Sequence, residues 1–233
     1  MRSKDFKWRH FVPEIILGCM RWYLRYPISY RNLEEMMIER GIEVDHTTIY
    51  RWIQHYSPEF EKRIRRYAKP LGFSWRVDET YIKIKGQWKY LYRAVDKNGS
   101  TIDFMLSHKR DVTSAKRFFK KALKSCYEVP LTFNTDKNAA YPQAIQQLKD
   151  EGTLSQNLVH RQVKYLNNMI ESDHRRIKRR TRPMMGFQSF KTANRCLKGI
   201  EAMSMMIKQQ TYFLKLSLQN QIKFIHNLFE VYA

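Results

Sequence analysis

Phe73-Ser-Trp-Arg-Val-Asp-Glu-Thr-Tyr-Ile-Lys-Ile84 is a run rich in β-branched and aromatic residues, and it reads as a strand. Trp88 to Val95 and Thr101 to Leu106 have the same composition, and Lys85-Gly86 and Asp96-Lys-Asn-Gly99 separate them as turn signals. Three antiparallel strands in a meander are therefore predicted. Downstream, Asp111 is a helix N-cap before Val112, Ala115, Phe118, Phe119, Ala122 and Leu123. A short strand follows from Leu131 to Asn134, a helix from about Tyr141 to Lys149, a short strand near Leu158 to His160, and a helix bearing Glu171. The order β-β-β-α-β-α-β-α predicts an α/β, RNase H-like mixed sheet with flanking helices.

Upstream the pattern is helical. Pro13 opens a segment with apolar Ile15, Ile16, Cys19, Trp22 and Tyr23, closed by Pro27. Ser29 caps a second helix through Arg40, with Gly41 as its stop. Asp45 caps a third, His46 to Tyr56, whose Ile49, Trp52, Ile53 and Tyr56 follow helical spacing. Its opposite face carries Thr47, Arg51 and Gln54, flanked by Tyr50 and His55, side chains suited to phosphates and base edges. Two helices joined by a glycine-containing turn, the second polar and basic outward, form a helix-turn-helix pattern. The expected organisation is an all-α helix-turn-helix module over 1–60 and a basic linker over 61–72. The catalytic-size domain then spans 73–200, and a helical tail spans 201–233.

Charge narrows the partner. The chain has 233 residues, 43 basic against 22 acidic, for a net charge of +21, yet 43% hydrophobic and 14% aromatic content argue for a folded protein. Residues 158–233 alone carry 14 basic and 4 acidic residues. Such a field favours a polyanion, nucleic acid above all. A membrane-surface protein would need an amphipathic basic helix or a lipidation signal, and neither is evident. The start Met-Arg-Ser-Lys-Asp-Phe lacks an apolar signal region. Cys19, Cys126 and Cys196 are odd in number and widely spaced, which speaks for reduced thiols in a cytoplasmic protein and against zinc.

Three acids stand in chemically telling places: Asp78 mid-strand, Asp136 just past a strand end in Phe133-Asn-Thr-Asp-Lys-Asn138, and Glu171 on a helix. Carboxylates from three elements can converge as hard oxygen ligands suited to Mg²⁺, with Mn²⁺ as a substitute. Two ions about 3.5–4 Å apart would clamp an in-line phosphoryl displacement, with water or a DNA 3′-hydroxyl as nucleophile. Asp78 and Glu79 are adjacent, so they point to opposite sheet faces, and their spacing does not choose between them. Around Glu171, Asn167, His174 and Lys178 share a polar stripe, while Leu166, Ile170 and Ile177 form an apolar one. Arg175, Arg176, Lys178, Arg179, Arg180 and Arg182 then supply six cations to steer a phosphate backbone. Asp96, Asp103 and Asp111 read as turn, strand-surface and cap residues, and Asp173 as facing away from Glu171. His108 and His160 read as satisfied polar groups. Trp75 and Trp88 read as core.

With these residues assembled, the chain resembles bacterial insertion-sequence transposases of the DDE type, closest to short replicative, cointegrate-forming elements. The matching stretches include Tyr30-Arg-Asn-Leu33, His46-Thr-Thr-Ile-Tyr-Arg-Trp52, Trp75-Arg-Val-Asp-Glu-Thr-Tyr-Ile-Lys83 and Tyr90-Leu-Tyr-Arg-Ala-Val-Asp96. Asn134-Thr-Asp-Lys137, Lys164-Tyr-Leu-Asn-Asn168, Ile170-Glu-Ser-Asp-His-Arg175 and Lys198-Gly-Ile-Glu201 complete them. The resemblance implies that Asp78, rather than Glu79, joins Asp136 and Glu171 as the catalytic, metal-binding triad. It places Lys178 against terminal DNA, with His174, Arg175 and Arg179 beside it. It further implies cleavage of 3′ ends at terminal inverted repeats and transfer to target DNA, by a homo-oligomer acting on double-stranded DNA at the bacterial nucleoid. The rivals are a helix-turn-helix regulator with a non-catalytic second domain and a nuclease of the same fold that cuts without joining.

Overall fold

The structure is a computed structural model that describes residues 4–7, 9–126, 129–163, 168–212 and 217–231. Leu166 and Asn167, most of the Lys164–Asn168 motif, and Phe213, Leu214 and Leu216 of the tail lie outside the described residues. The chain forms two compact units, one of Pro70–Lys178 and one combining Met1–Lys69 with Arg179–Ala233.

The Pro70–Lys178 unit is built on five strands, β1 (Ser74–Ile84), β2 (Gln87–Asp96), β3 (Thr101–Ser107), β4 (Thr132–Asn134) and β5 (Val159–Arg161), in the order β3-β2-β1-β4-β5. The meander β1-β2-β3 is antiparallel, and β4 and β5 run parallel to β1. This mixed sheet with flanking helices is the expected RNase H-like arrangement. Tight turns allow the antiparallel half; the parallel half needs crossovers. Those are α4 (Val112–Lys124) and α5 (Ala140–Asp150).

Strand alternation divides β1 between two environments. Trp75 and Val77 pack with Tyr92, Phe118, Phe119, Phe133 and Tyr141 in the core beneath α4 and α5, and Glu79 lies in the same alternation. Asp78 faces the other way, opposite Arg93 of β2. Arg93 is fully buried and donates to Asp173 of α6 (Asn168–Thr181) at 2.6 Å. Asp173 thus turns away from Glu171, as read, but into the sheet. Two other expectations shift. Asp103 is buried rather than on the strand surface, held by Lys121 at 2.5 Å and Ser125 at 2.9 Å. Trp75 is core at 1% exposure, whereas Trp88, beyond the reach of α4 and α5, stays 61% exposed.

The other unit begins with α1 (Pro13–Arg25), α2 (Tyr30–Ile38) and α3 (His46–Ile64). Ser29 and Asn32 form a reciprocal capping box at α2, and Asp45 accepts from the Thr47 and Thr48 amides at 2.9 and 3.0 Å. α3 runs eight residues past its expected end and through Pro58, because Phe60 and Ile64 continue the buried stripe of Ile49, Ile53 and Tyr56. Burial there outweighs the ~3 kcal/mol cost of an interior proline. The expected linker therefore starts inside a helix. α7 (Phe190–Ile207), which bridges the expected boundary at residue 200, lies along α3, and α8 (Leu218–Leu228) packs on α1 and α3. Gly199 marks the close approach: a Cβ there would meet Ser57 Cβ at 2.6 Å and Leu24 Cδ1 at 2.8 Å. Residues 179–200 thus pack with the N-terminal helices rather than with the sheet. Among the described residues no helix is long and apolar enough to cross a membrane.

Candidate active site

β1 and the loop after β4 bring two of the expected acids together. Asp78, Glu79 and Asp136 each offer a carboxylate oxygen within 4.8 Å of the others. Asp78 Oδ1 accepts from the Glu79 amide at 2.9 Å, and Asp136 Oδ1 accepts from the Asn138 amide at 3.0 Å, so both carboxylates are aimed by the backbone. Burial first, then the charge of Glu79, with contributions from Asp136 and Glu171, raises the Asp78 carboxyl from 3.8 to about 7. Glu171, exposed on the first turn of α6, is therefore close enough for its charge to bear on Asp78.

Glu79 has its own partners. It is 7% exposed, accepts from the Tyr141 hydroxyl, and pairs with Arg110, which also reaches Asp136 Oδ2 at 3.2 Å. Burial raises the Glu79 carboxyl, and burial next to that acid raises the Tyr141 hydroxyl further. Arg110 and Tyr141 were not singled out from sequence. Arg110 carries no motif signal, since it merely precedes a helix cap, and only the crossover to β4 brings it to Asp136.

The helix α6 presents Ile170, Asp173, His174 and Ile177 inward at i, i+3, i+4 and i+7. His174 is accordingly buried, with Nδ1 3.8 Å from Asp78 Oδ2, rather than on an outward stripe with Glu171 and Lys178. Arg175, Arg176, Lys178 and Arg179 are exposed. Arg180 is not: it is buried over the Tyr23 ring at 4.1 Å. On α3, Thr47, Tyr50 and Arg51 are exposed, with the Thr47 hydroxyl donating to Asp45, while Gln54 is buried.

The donor set suits a hard divalent cation. Asp78, Glu79 and Asp136 bring three carboxyl groups together, with the charge of Glu171 nearby, and burial ahead of their mutual repulsion raises the Asp78 carboxyl.

A family model described as a DDE domain matches residues 72–210. The transposase for insertion sequence-like element IS431mec of Staphylococcus aureus (strain Mu50 / ATCC 700699) is 40% identical over 212 residues, covering 91% of this chain and 92% of that protein. The chain belongs to the DDE-type insertion-sequence transposases. The Staphylococcus aureus transposase for IS257 in transposon Tn4003 is also 40% identical over 212 residues, with the same coverage of this transposase. Among solved structures, the HTLV-2 integrase catalytic core domain in complex with magnesium aligns at a TM-score of 0.43 and 19% identity. That alignment covers 57% of this transposase and 85% of the integrase chain.

Proposed function

We propose that Asp78, Asp136 and Glu171 are the catalytic acids of this transposase, and that they hold two Mg²⁺ ions for cleavage of 3′ ends at terminal inverted repeats and their transfer to target DNA. The observation that carries the proposal is geometric: Asp78 and Asp136 offer carboxylate oxygens within 4.8 Å of each other, and α6, which bears Glu171 in its first turn, packs against Asp78 through His174. Bound divalent ions would supply charge neutralisation at the phosphate and activation of the attacking oxygen. In cleavage, water oxygen bonds to phosphorus, the P–O3′ bond breaks, and a 3′-hydroxyl is released. In transfer that hydroxyl attacks a target phosphodiester and the target's own 3′-oxygen leaves.

The chain's other residues position these events. Arg110 bridges Glu79 and Asp136, and Tyr141 fixes Glu79, so the wall behind Asp78 stays rigid. Buried His174 backs Asp78 from the α6 side. Arg175, Lys178 and Arg179 line the exposed side of the same helix for phosphate contacts, and Thr47, Tyr50 and Arg51 of α3 meet duplex DNA. The working form is a homo-oligomer on double-stranded DNA in the bacterial cytoplasm.

Purified protein incubated with a labelled terminal-repeat duplex and a target plasmid, with Mg²⁺ or with EDTA, tests the assignment. Joined product should require Mg²⁺ and vanish in Asp78→Asn, Asp136→Asn and Glu171→Gln, while duplex binding persists. Full joining by any of these variants would remove that residue from the triad. Cut but unjoined ends from wild type would point to a nuclease.

A further inference from the structure

A second site lies on the unit formed by Met1–Lys69 and Arg179–Ala233, where α3 meets the beginning of α7. A cleft of about 550 Å³ there is lined by Arg9, Tyr50, Arg51, Gln54, Thr192 and Arg195, among others. Its three guanidinium groups come from three separate parts of the chain, and only the packing of α7 along α3 assembles them. We propose that this cleft holds a backbone phosphate of duplex DNA, gripped by Arg51, Arg195 and Arg9, which makes α7 part of the DNA-contacting surface. The proposal rests on the reading that α3 faces DNA, and it extends that surface to a helix far away in sequence.

Three observations support it. Arg51 and Arg195 are exposed, and among the described residues neither has a carboxylate partner, so both are available to an anion. His55 borders the same cleft, and after burial it is the Arg9 charge, with Arg195 contributing, that lowers its pKa; the local field is positive despite Asp5 and Glu59 nearby. Finally, Arg51 and Gln54 stand at i, i+3 on α3, as Thr192 and Arg195 do on α7, so each pair shares a helix face.

A guanidinium fork fits a phosphodiester in a way that a point charge does not. Phosphate contacts set position and are independent of base sequence, so a mixed-sequence duplex is a sufficient probe. The full chain is titrated with a fluorescent mixed-sequence 30-base-pair duplex between about 50 and 200 mM salt, where phosphate contacts dominate affinity. Arg195→Ala should weaken binding several-fold and lower the slope of log K against log salt by ~0.9, the value for one lost phosphate contact. Lys223→Ala, a change of equal charge on α8 of the same unit, should change the slope far less. Arg195→Lys should retain more affinity than Arg195→Ala.

The proposal is overturned if Arg51→Ala lowers affinity while Arg195→Ala and Arg9→Ala leave it unchanged. It is also overturned if Lys223→Ala has the same effect as Arg195→Ala, because diffuse charge then explains both. If Arg51→Ala itself changes nothing, the assignment of α3 to DNA fails first, and the cleft's assignment fails with it. Should Arg195→Ala not fold, as judged by circular dichroism, Arg9→Ala and Arg195→Gln give the same comparison.

Discussion

At the scale of single residues, Asp78 shows how the position proposed for chemistry also bears on stability. Its carboxyl is raised to about 7, so between its ordinary value of 3.8 and about 7 the folded chain keeps a proton that the unfolded chain releases. The associated stability is complete at low pH and is lost as pH rises towards about 7. Thermal unfolding in EDTA should show the midpoint falling across that interval, with Glu79 adding in the same direction, and Asp78→Asn should flatten part of the fall. Added Mg²⁺ should raise the midpoint more above pH 7 than below it, because a metal ligand must be ionised. Asp173 has the opposite character: its carboxylate serves a buried arginine. Asp173→Ala leaves the Arg93 guanidinium short of a counter-charge, and a cost of about 3–5 kcal/mol is expected from denaturant unfolding.

At the scale of elements, α3 and α7 make the decisive contact of the helical unit formed by Met1–Lys69 and Arg179–Ala233. Gly199 leaves no room for a methyl between α7 and Ser57 with Leu24. An alanine is favoured over glycine in a helix interior by about 1 kcal/mol, but overpacking here costs roughly 1–3 kcal/mol. Gly199→Ala should therefore lower the thermal midpoint despite its better helix propensity; an increase would mean that the helices separate without strain. The β1-β2 hairpin shows why its two tryptophans differ. Trp75 pairs in register with Asp96 near the sheet's covered end, whereas Trp88 pairs with Lys83 near the hairpin turn. Trp88→Ala should consequently cost far less stability than Trp75→Ala, for which ~3–5 kcal/mol is expected.

At the scale of the whole molecule, a net charge of +21 biases the protein towards polyanions. Binding of random duplex should be strong at low salt and fall steeply as salt rises, in wild type and in the triad variants alike. Loss of joining in Glu171→Gln with an unchanged salt slope would separate chemistry from binding. A parallel loss of both would mean that the substitution disturbs the fold or the DNA path.

The amino-acid sequence by itself determined the strand meander and the caps at Ser29, Asp45 and Asp111, and it offered Asp136, Glu171 and either Asp78 or Glu79 as candidate acids, the family resemblance choosing Asp78. Each depends on local periodicity, turn chemistry or short motifs, which are written in neighbouring residues. Only the tertiary structure decided that α3 continues through Pro58, that His174 and Arg180 turn inward, and that Glu79 is held by Tyr141 and Arg110. It alone brought α7 back onto α3. These outcomes depend on which distant surface buries a given side chain, and burial against a partner tens of residues or more away leaves no local trace.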